Sequence, residues 1–213
     1  MKTTTLLDII LHLDEWLQQI ATLHPFTAYA IFFAIVFSES AFFPTALFLP
    51  GDGLLFAAGV LAADGAVHIR VSLIVLITAG VAGNWIAYKL GRWLGPAIFD
   101  RFPRLNRQHY QQAHQFYQRY GNKALIFSRF LPVVRALVPF VAGIALMNHR
   151  DFMKYNAISV ALWVFLIVLV AFYLGHLLFI KQHFIWVIFG IAGISFLPVL
   201  IVGVRNVMQQ RRK

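Results

Sequence analysis

"ALIFSRFLPVVRALVPFVAGIAL" runs from Ala124 to Leu146. It is apolar enough to enter a lipid bilayer, yet it carries Arg129 and Arg135 together with Pro132 and Pro139. A guanidinium in hydrocarbon is costly. Proline removes a backbone donor and breaks or bends a helix. A single straight spanning helix suits neither residue. The stretch therefore predicts a broken membrane segment whose charges are met from elsewhere in the chain.

Of the 213 residues, 60% are hydrophobic and 12% are charged, against roughly 45–50% and 25% in soluble domains. These proportions predict an integral membrane protein. The chain has no cysteine, which excludes disulfides, thiolate metal sites and cysteine nucleophiles. No short apolar segment near the N-terminus ends in a small-residue cleavage site, so no signal peptide is expected. The net charge is +10. In a membrane protein such an excess gathers in cytoplasmic loops and faces anionic lipid. Nucleic acid is not expected as a partner.

One polytopic membrane domain is predicted over 1–213. Residues 1–25 hold an amphipathic helix, with Leu6, Ile9, Leu13, Trp16 and Ile20 opposite Asp8, Asp14, Glu15, Gln18 and Gln19. It is too polar to span and is expected at the membrane interface. Residues 26–63 carry only two charges, Glu39 and Asp52, and are interrupted by Pro44 and by "LPGDG" at 49–53, with Pro50 and Gly51. One crossing needs about 20 residues. This stretch is too long for one helix and awkwardly broken for two, which predicts a re-entrant hairpin. Residues 71–88 suit one crossing. Residues 89–123 hold Lys89, Arg92, Arg101, Arg104, Arg107, Arg119 and Lys123 against Asp100 alone, and are expected to be cytoplasmic. Residues 155–180 and 182–204 form two more apolar runs. The tail "QQRRK" again reads as cytoplasmic.

A repeat underlies this order. "AAG" ending at Gly59 precedes "YKLG" ending at Gly91 by 32 residues, and "VAG" ending at Gly143 precedes "FYLG" ending at Gly175 by the same 32. The copies are offset by 84 residues. Upstream, with gaps, "FSES" followed by Pro44 and Pro50 matches "FSR" followed by Pro132 and Pro139. Repeat one is placed at 26–91, the basic connection at 92–121, repeat two at 122–178 and an extra C-terminal transmembrane helix at 182–205. A hairpin makes no net crossing and the helix after it makes one. The second copy must then insert upside down, giving an inverted repeat.

Ionisable residues at membrane depth point to function, and there are four: Glu39, Asp52, Arg129 and Arg135. Hairpins entering from opposite faces would bring their tips together near the midplane, two carboxylates against two guanidiniums. Such pairs either lock the fold or form a site. A buried ion pair is weak evidence for stability, and the prolines and glycines beside the charges expose backbone groups as a ligand site needs. A guanidinium fork suits phosphate or carboxylate. Burial favours a neutral acid, while a neighbouring arginine favours the carboxylate. That competition makes a switch: protonating Glu39 or Asp52 frees an arginine to hold an anion. Glu39 and Asp52 are thus expected to couple protons, Arg129 and Arg135 to bind an anionic headgroup, and Pro44, Pro50, Gly51, Pro132 and Pro139 to break the hairpins. Asn84 is expected to hydrogen-bond between helices. Trp85, Trp93 and Trp163 read as packing or interface anchors. His68, His109, His114 and His149 read as interfacial and lack zinc spacing. No metal, cofactor or enzymatic activity is expected: a lipid phosphatase would need a histidine nucleophile or a metal set near the arginines.

At these residues the chain resembles the DedA family of bacterial inner-membrane proteins. The resemblance rests on "ESAFFPTALFLPGDGLLFAAGVLA" (39–62), "GNWIAYKLGRWLG" (83–95) and "FSRFLPVVRALVPFVAGIALM" (127–147), and covers roughly residues 30–175. It implies a multi-pass protein of the inner membrane with two re-entrant hairpins that moves lipids across the bilayer. The implied cargo is the polyprenyl-phosphate carrier of envelope synthesis or a phospholipid, often with proton dependence. More distant eukaryotic relatives are lipid scramblases. The family's essential acids fall on Glu39 and Asp52, its arginines on Arg129 and Arg135. One departure is Asn84, where many members have an acid. The expected function is a proton-coupled transporter or flippase of a lipid phosphate, with membrane lipids, that lipid and protons as partners. A proton-coupled antiporter of an ion or small cation would use the same acids. A non-catalytic assembly factor would tolerate loss of all four charges.

Overall fold

The computed structural model describes residues 25–42, 51–94, 124–130 and 132–176. The predicted amphipathic helix at the N-terminus, Pro44, Pro50, the basic stretch from 95 to 123 and the predicted helix 182–205 lie outside the described residues.

Every regular element among the described residues is helical. Helix α1 spans Pro25–Ala41 and α2 spans Gly51–Ala63. Helix α3 spans Ile69–Leu94. A single turn, α4 (Ala124–Phe127), leads through a 3-10 turn at Ser128–Phe130 into α5, Pro132–Ile144. Helix α6 spans His149–Leu174. Proline at the first position of α1 and of α5 loses no helical hydrogen bond, because that N–H has no partner in any helix. Asn148 caps α6, its side chain accepting from Arg150 N at 2.9 Å.

Among the described residues only α3 and α6, of 26 residues each, are long and apolar enough to cross a membrane. At 1.5 Å per residue each is about 39 Å long, against a hydrocarbon core of about 30 Å. The crossing predicted at 71–88 runs on to Leu94 and takes Lys89 and Arg92 with it. Helices α1 and α2, with 17 and 13 residues, reach only about 25 and 20 Å. The outer ends of these two helices meet. The backbone N–H of His68, just past α2, donates to the hydroxyl of Tyr29, near the start of α1, at 2.8 Å. At its other end α1 packs on α3, where Gly83 lies against Phe37, Ser40 and Ala41.

The two halves of the chain exchange partners. Helix α2 packs chiefly along α6, and α5 chiefly along α3. The four glycines of the sequence repeat sit at these two crossings. Gly59 lies against the backbone of Val168 and Phe172, and Gly175 against Val60 and Ala63. Gly143 lies against the backbone of Tyr88 and Arg92, and Gly91 against the carbonyl of Phe140. A side chain at Gly59, Gly91 or Gly143 would hold the helices apart. The larger core joins Phe32, Val36, Leu55, Leu76, Val160, Val164 and Val168. A second core gathers Tyr88, Val138, Val141 and Phe152, with the rings of Tyr88 and Phe152 stacked at 4.1 Å. On α6 the opposite face leaves Ile158, Leu162, Phe165, Leu166 and Val170 exposed, as a lipid-facing stripe requires.

Each short helix turns into its long neighbour in the same way. Asp64, Gly65 and Ala66 donate backbone N–H bonds to Val60, Ala62 and Leu61, while Ala145, Leu146 and Met147 donate to Val141, Gly143 and Ala142. Gly65 and Leu146 occupy the positive-φ position, at 76° and 55°. Glycine adopts that conformation freely, whereas leucine is strained by about 1–2 kcal/mol. Leu146→Gly is therefore expected to raise stability by roughly 1 kcal/mol, measured by SDS titration of the purified protein in mild detergent. Gly65→Ala is expected to lower it by a similar amount.

Candidate functional site

The sequence sets each charge on a buried helix face. On α1, Phe32, Val36 and Glu39 follow helical spacing and all three are buried. On α5, Arg135 shares its face with the buried Val138 and Ala142. Asp52 lies in the first turn of α2, where a carboxylate suits the positive end of the helix dipole. On α6, Asn156, Val160 and Trp163 form the inward stripe. Trp163 stands 14 residues from His149 and 11 from Leu174, so it lies near the midpoint of α6.

These faces converge on one guanidinium. Arg135 Nη1 donates to Asp52 Oδ1 at 2.8 Å and to Oδ2 at 2.9 Å, and Nη2 donates to Glu39 Oε1 at 2.9 Å. One arginine thus bridges two carboxylates, one from α1 and one from α2. Trp163 Nε1 adds a bond to Asp52 Oδ1 at 3.1 Å. Glu39 Oε2 is buried with no hydrogen-bond partner. It rests in the space a Cβ of Gly51 would fill, which is why glycine stands at the start of α2.

Arg129 is placed differently. Its Nε donates to Ser159 Oγ at 3.2 Å, and that hydroxyl donates to the carbonyl of Leu125 at 2.7 Å. Ser128 Oγ reaches the same carbonyl at 3.0 Å. Arg129 Nη2 is buried without a partner. Among the described residues it makes no salt bridge, whereas Arg135 makes two. Both guanidiniums lie over the ring of Trp163, Arg129 at 5.0 Å and Arg135 at 5.4 Å from its centroid, within the range of cation–π attraction. With both acids ionised, the four charges sum to zero.

The four charges singled out in the sequence are thus brought together, but not as two matched pairs. Arg135 takes both carboxylates, and Arg129 stands to one side. Of the expected hairpin breaks, Gly51 begins α2, Pro132 begins α5 and Pro139 lies inside α5. Sequence reading missed Ser159, and it gave Trp163 a packing or interface role when it contacts three of the four charges. The available signal was their spacing: Asn156, Ser159 and Trp163 recur at helical intervals in the apolar part of α6. Asn84 does bridge helices as expected, donating to Asn156 Oδ1 at 2.6 Å, and Asn156 donates on to Val81 O at 3.1 Å. His68 and His149 are exposed at the ends of the long helices. Trp85 and Trp93 are exposed near the end of α3, with Lys89 Nζ 5.6 Å from the Trp85 ring centroid.

The VTT domain model matches residues 49–173, a span that takes in Asp52, both arginines, Ser159 and Trp163. The chain belongs to the DedA/VTT family. Protein DedA of Escherichia coli strain K12 is 35% identical over 212 residues, covering 97% of this chain and 94% of that protein. The inner membrane protein YqjA of the same strain is 34% identical over 179 residues, 78% of this chain and 81% of YqjA. An uncharacterized membrane protein of Mycobacterium leprae, ML0287, is 33% identical over 181 residues, 84% and 80% of the two chains. No solved structure matches the chain. As a DedA/VTT protein with two helices long enough to span, it is a multi-pass membrane protein.

Proposed function

We propose that this protein carries a phosphate-bearing lipid across the bacterial inner membrane, coupled to proton movement, and so supports envelope and membrane homeostasis. The observation that carries the reading is the cluster at the middle of α6. Two guanidiniums meet there at membrane depth, one bound to two carboxylates and the other with an unpartnered N–H. A structural lock would leave no donor open, whereas a site for an anion keeps one. The cargo is a polyprenyl phosphate carrier or a phospholipid.

In this reading α1 with α2, and α4 with α5, are re-entrant hairpins of an inverted repeat. The contact between Tyr29 and His68 and the exchange of partners between α2–α6 and α3–α5 support it. Lys89 and Arg92 at the end of α3, and Arg150 and Lys154 at the start of α6, gather on one side, because Tyr88 donates to Met147 O at 2.6 Å. By the positive-inside rule that side is cytoplasmic, and an even number of crossings after it would leave the C-terminus there. A proton added to Glu39 removes the charge that holds Arg135 Nη2. The freed N–H and the positive charge then receive the phosphate. Loss of that proton returns Arg135 to Glu39 and expels the ligand.

Liposomes holding the purified chain test this. Translocation of a labelled polyprenyl phosphate, compared with a labelled phospholipid, is expected to respond to a pH gradient. Arg135→Ala is expected to abolish it. Glu39→Gln is expected to leave flux that no longer follows the gradient, and unchanged gradient dependence would sink the coupling. Gly51→Ala, which displaces the Glu39 carboxyl by one methyl group, is expected to act like Glu39→Gln. Proton-linked cation flux without added lipid phosphate, surviving in the arginine variants, would favour the antiporter instead.

A further inference from the structure

We infer that the two arginines are not equivalent, and that Arg129, held by Ser159, forms a lateral entry site for the lipid's phosphate, open to the hydrocarbon rather than to water. The inference rests on the transport reading above and adds the route and the order of contact.

The geometry separates the two side chains. Every hydrogen bond of Arg135 named above goes to a carboxylate, so its positive charge is taken up by Glu39 and Asp52 while both are ionised. Arg129 has Nη2 buried and unpartnered, and an unsatisfied charged donor at this depth is costly unless a ligand meets it. Beside it lies a cavity of about 180 Å³, lined by Ile126, Arg129, Ser159, Leu162, Trp163 and Leu166. Leu162 and Leu166 are each 56% exposed, on the lipid-facing stripe of α6. The mouth of the cavity therefore faces acyl chains, and its almost wholly apolar wall includes Arg129 and Ser159.

That combination selects an amphiphile with one anionic end. The apolar walls accept the chain next to the headgroup, and the guanidinium fork accepts a phosphate monoester. A free inorganic phosphate has the right charge but would have to cross hydrocarbon to reach the cavity. Ser159 is a positioning residue. It accepts from Arg129 Nε and is itself tied to Leu125 O, which fixes the fork with Nη2 free. Trp163 is shared by the two stations, contacting both guanidiniums and Asp52. A phosphate bound at Arg129 thus lies beside the same ring as Arg135, which receives it once a carboxylate lets go.

The test is photo-crosslinking of the full chain in liposomes. The probe is a long-chain alkyl monophosphate with a diazirine close to the phosphate. Adducts are expected on Ile126, Leu162 and Leu166, and the matching alkyl alcohol is expected to give few. Arg129→Gln is expected to cut the yield roughly tenfold or more, the loss of a charged hydrogen bond. Leu166→Trp fills the cavity from its lipid side and should cut it similarly even if the arginine variant folds poorly. Ser159→Ala should lower the yield, and Ser159→Thr should restore it. Equal labelling by the alcohol, equal labelling in Arg129→Gln, or adducts spread to Val170 and Tyr173 would overturn the site. Competition by inorganic phosphate as strong as by the unlabelled alkyl phosphate would overturn the route through lipid. Translocation is followed in the same liposomes. Full translocation in Arg129→Gln would overturn the entry role while leaving transport standing. Labelling of the expected residues without translocation in the parent chain would retain the site and remove the transport reading.

Discussion

Arg135→Ala is expected to cost about 3–5 kcal/mol of stability, the range for removing one partner of a buried ion pair. The guanidinium stands between Asp52 and Glu39, at 2.8 and 2.9 Å. Its loss leaves two carboxylates facing each other in a buried setting. The neutral triple variant, Arg135→Ala with Glu39→Gln and Asp52→Asn, is then expected to be more stable than Arg135→Ala alone. Such recovery is the signature of coupled residues, whose effects do not add. Arg135→Lys should fall between the two, because an ammonium keeps the charge but cannot fork across two acids. Arg129→Ala should cost less than Arg135→Ala, since among the described residues it removes no salt bridge. SDS titration in mild detergent measures all of these. A triple variant no more stable than Arg135→Ala would mean that something other than charge pairing holds the cluster together.

The sequence made the cluster's membership legible but not its wiring. Four charges in long apolar runs can be read as intramembrane residues from composition alone, and acids in one half with arginines in the other suggest that the halves meet. The difference between Arg129 and Arg135 is a matter of helix phase. Arg135 belongs to a stripe with Val138 and Ala142, which "PVVRALVPFVAG" does contain. Arg129 sits in a 3-10 turn whose orientation no periodicity records. Trp163 and Ser159 were hidden for another reason. From Ser159 onward α6 is apolar around its whole circumference, so only the short run Asn156, Ser159 and Trp163 marks which side points inward. The four glycines were legible as a spacing, but the contacts they make were not. Each glycine is needed by a helix from the other half, and contacts that distant in sequence leave no local pattern. The matched turns at Gly65 and Leu146 escaped notice because a leucine occupies a position where glycine would have signalled it.

Those glycines set up the second large effect. A Cβ at Gly91 would overlap the carbonyl of Phe140, and one at Gly143 would overlap the carbonyl of Tyr88. Both obstacles are backbone, so no side-chain rotation relieves them and α3 and α5 must move apart. Gly91→Ala and Gly143→Ala are each expected to cost about 1–3 kcal/mol, the usual range for overpacking. Because they share one crossing, the double variant should cost clearly less than the two singles together. Helices already separated by the first methyl make room for the second. Gly59→Ala acts at the other crossing, against Val168 and Phe172, so its cost should add in full to that of Gly91→Ala. Gly80→Ala is the control. Its Cβ would meet Cγ1 of Val160 at 2.9 Å, a side-chain atom that can shift, and the expected loss is smaller. The separation also reaches the site, because α5 carries Arg135 while Asp52 and Trp163 belong to α2 and α6. Gly91→Ala should therefore weaken transport as well as stability, whereas Leu146→Gly, at the exposed turn, should leave transport intact. Full additivity of Gly91→Ala with Gly143→Ala would mean that the two positions do not share a crossing, and the partner exchange between the halves would have to be abandoned.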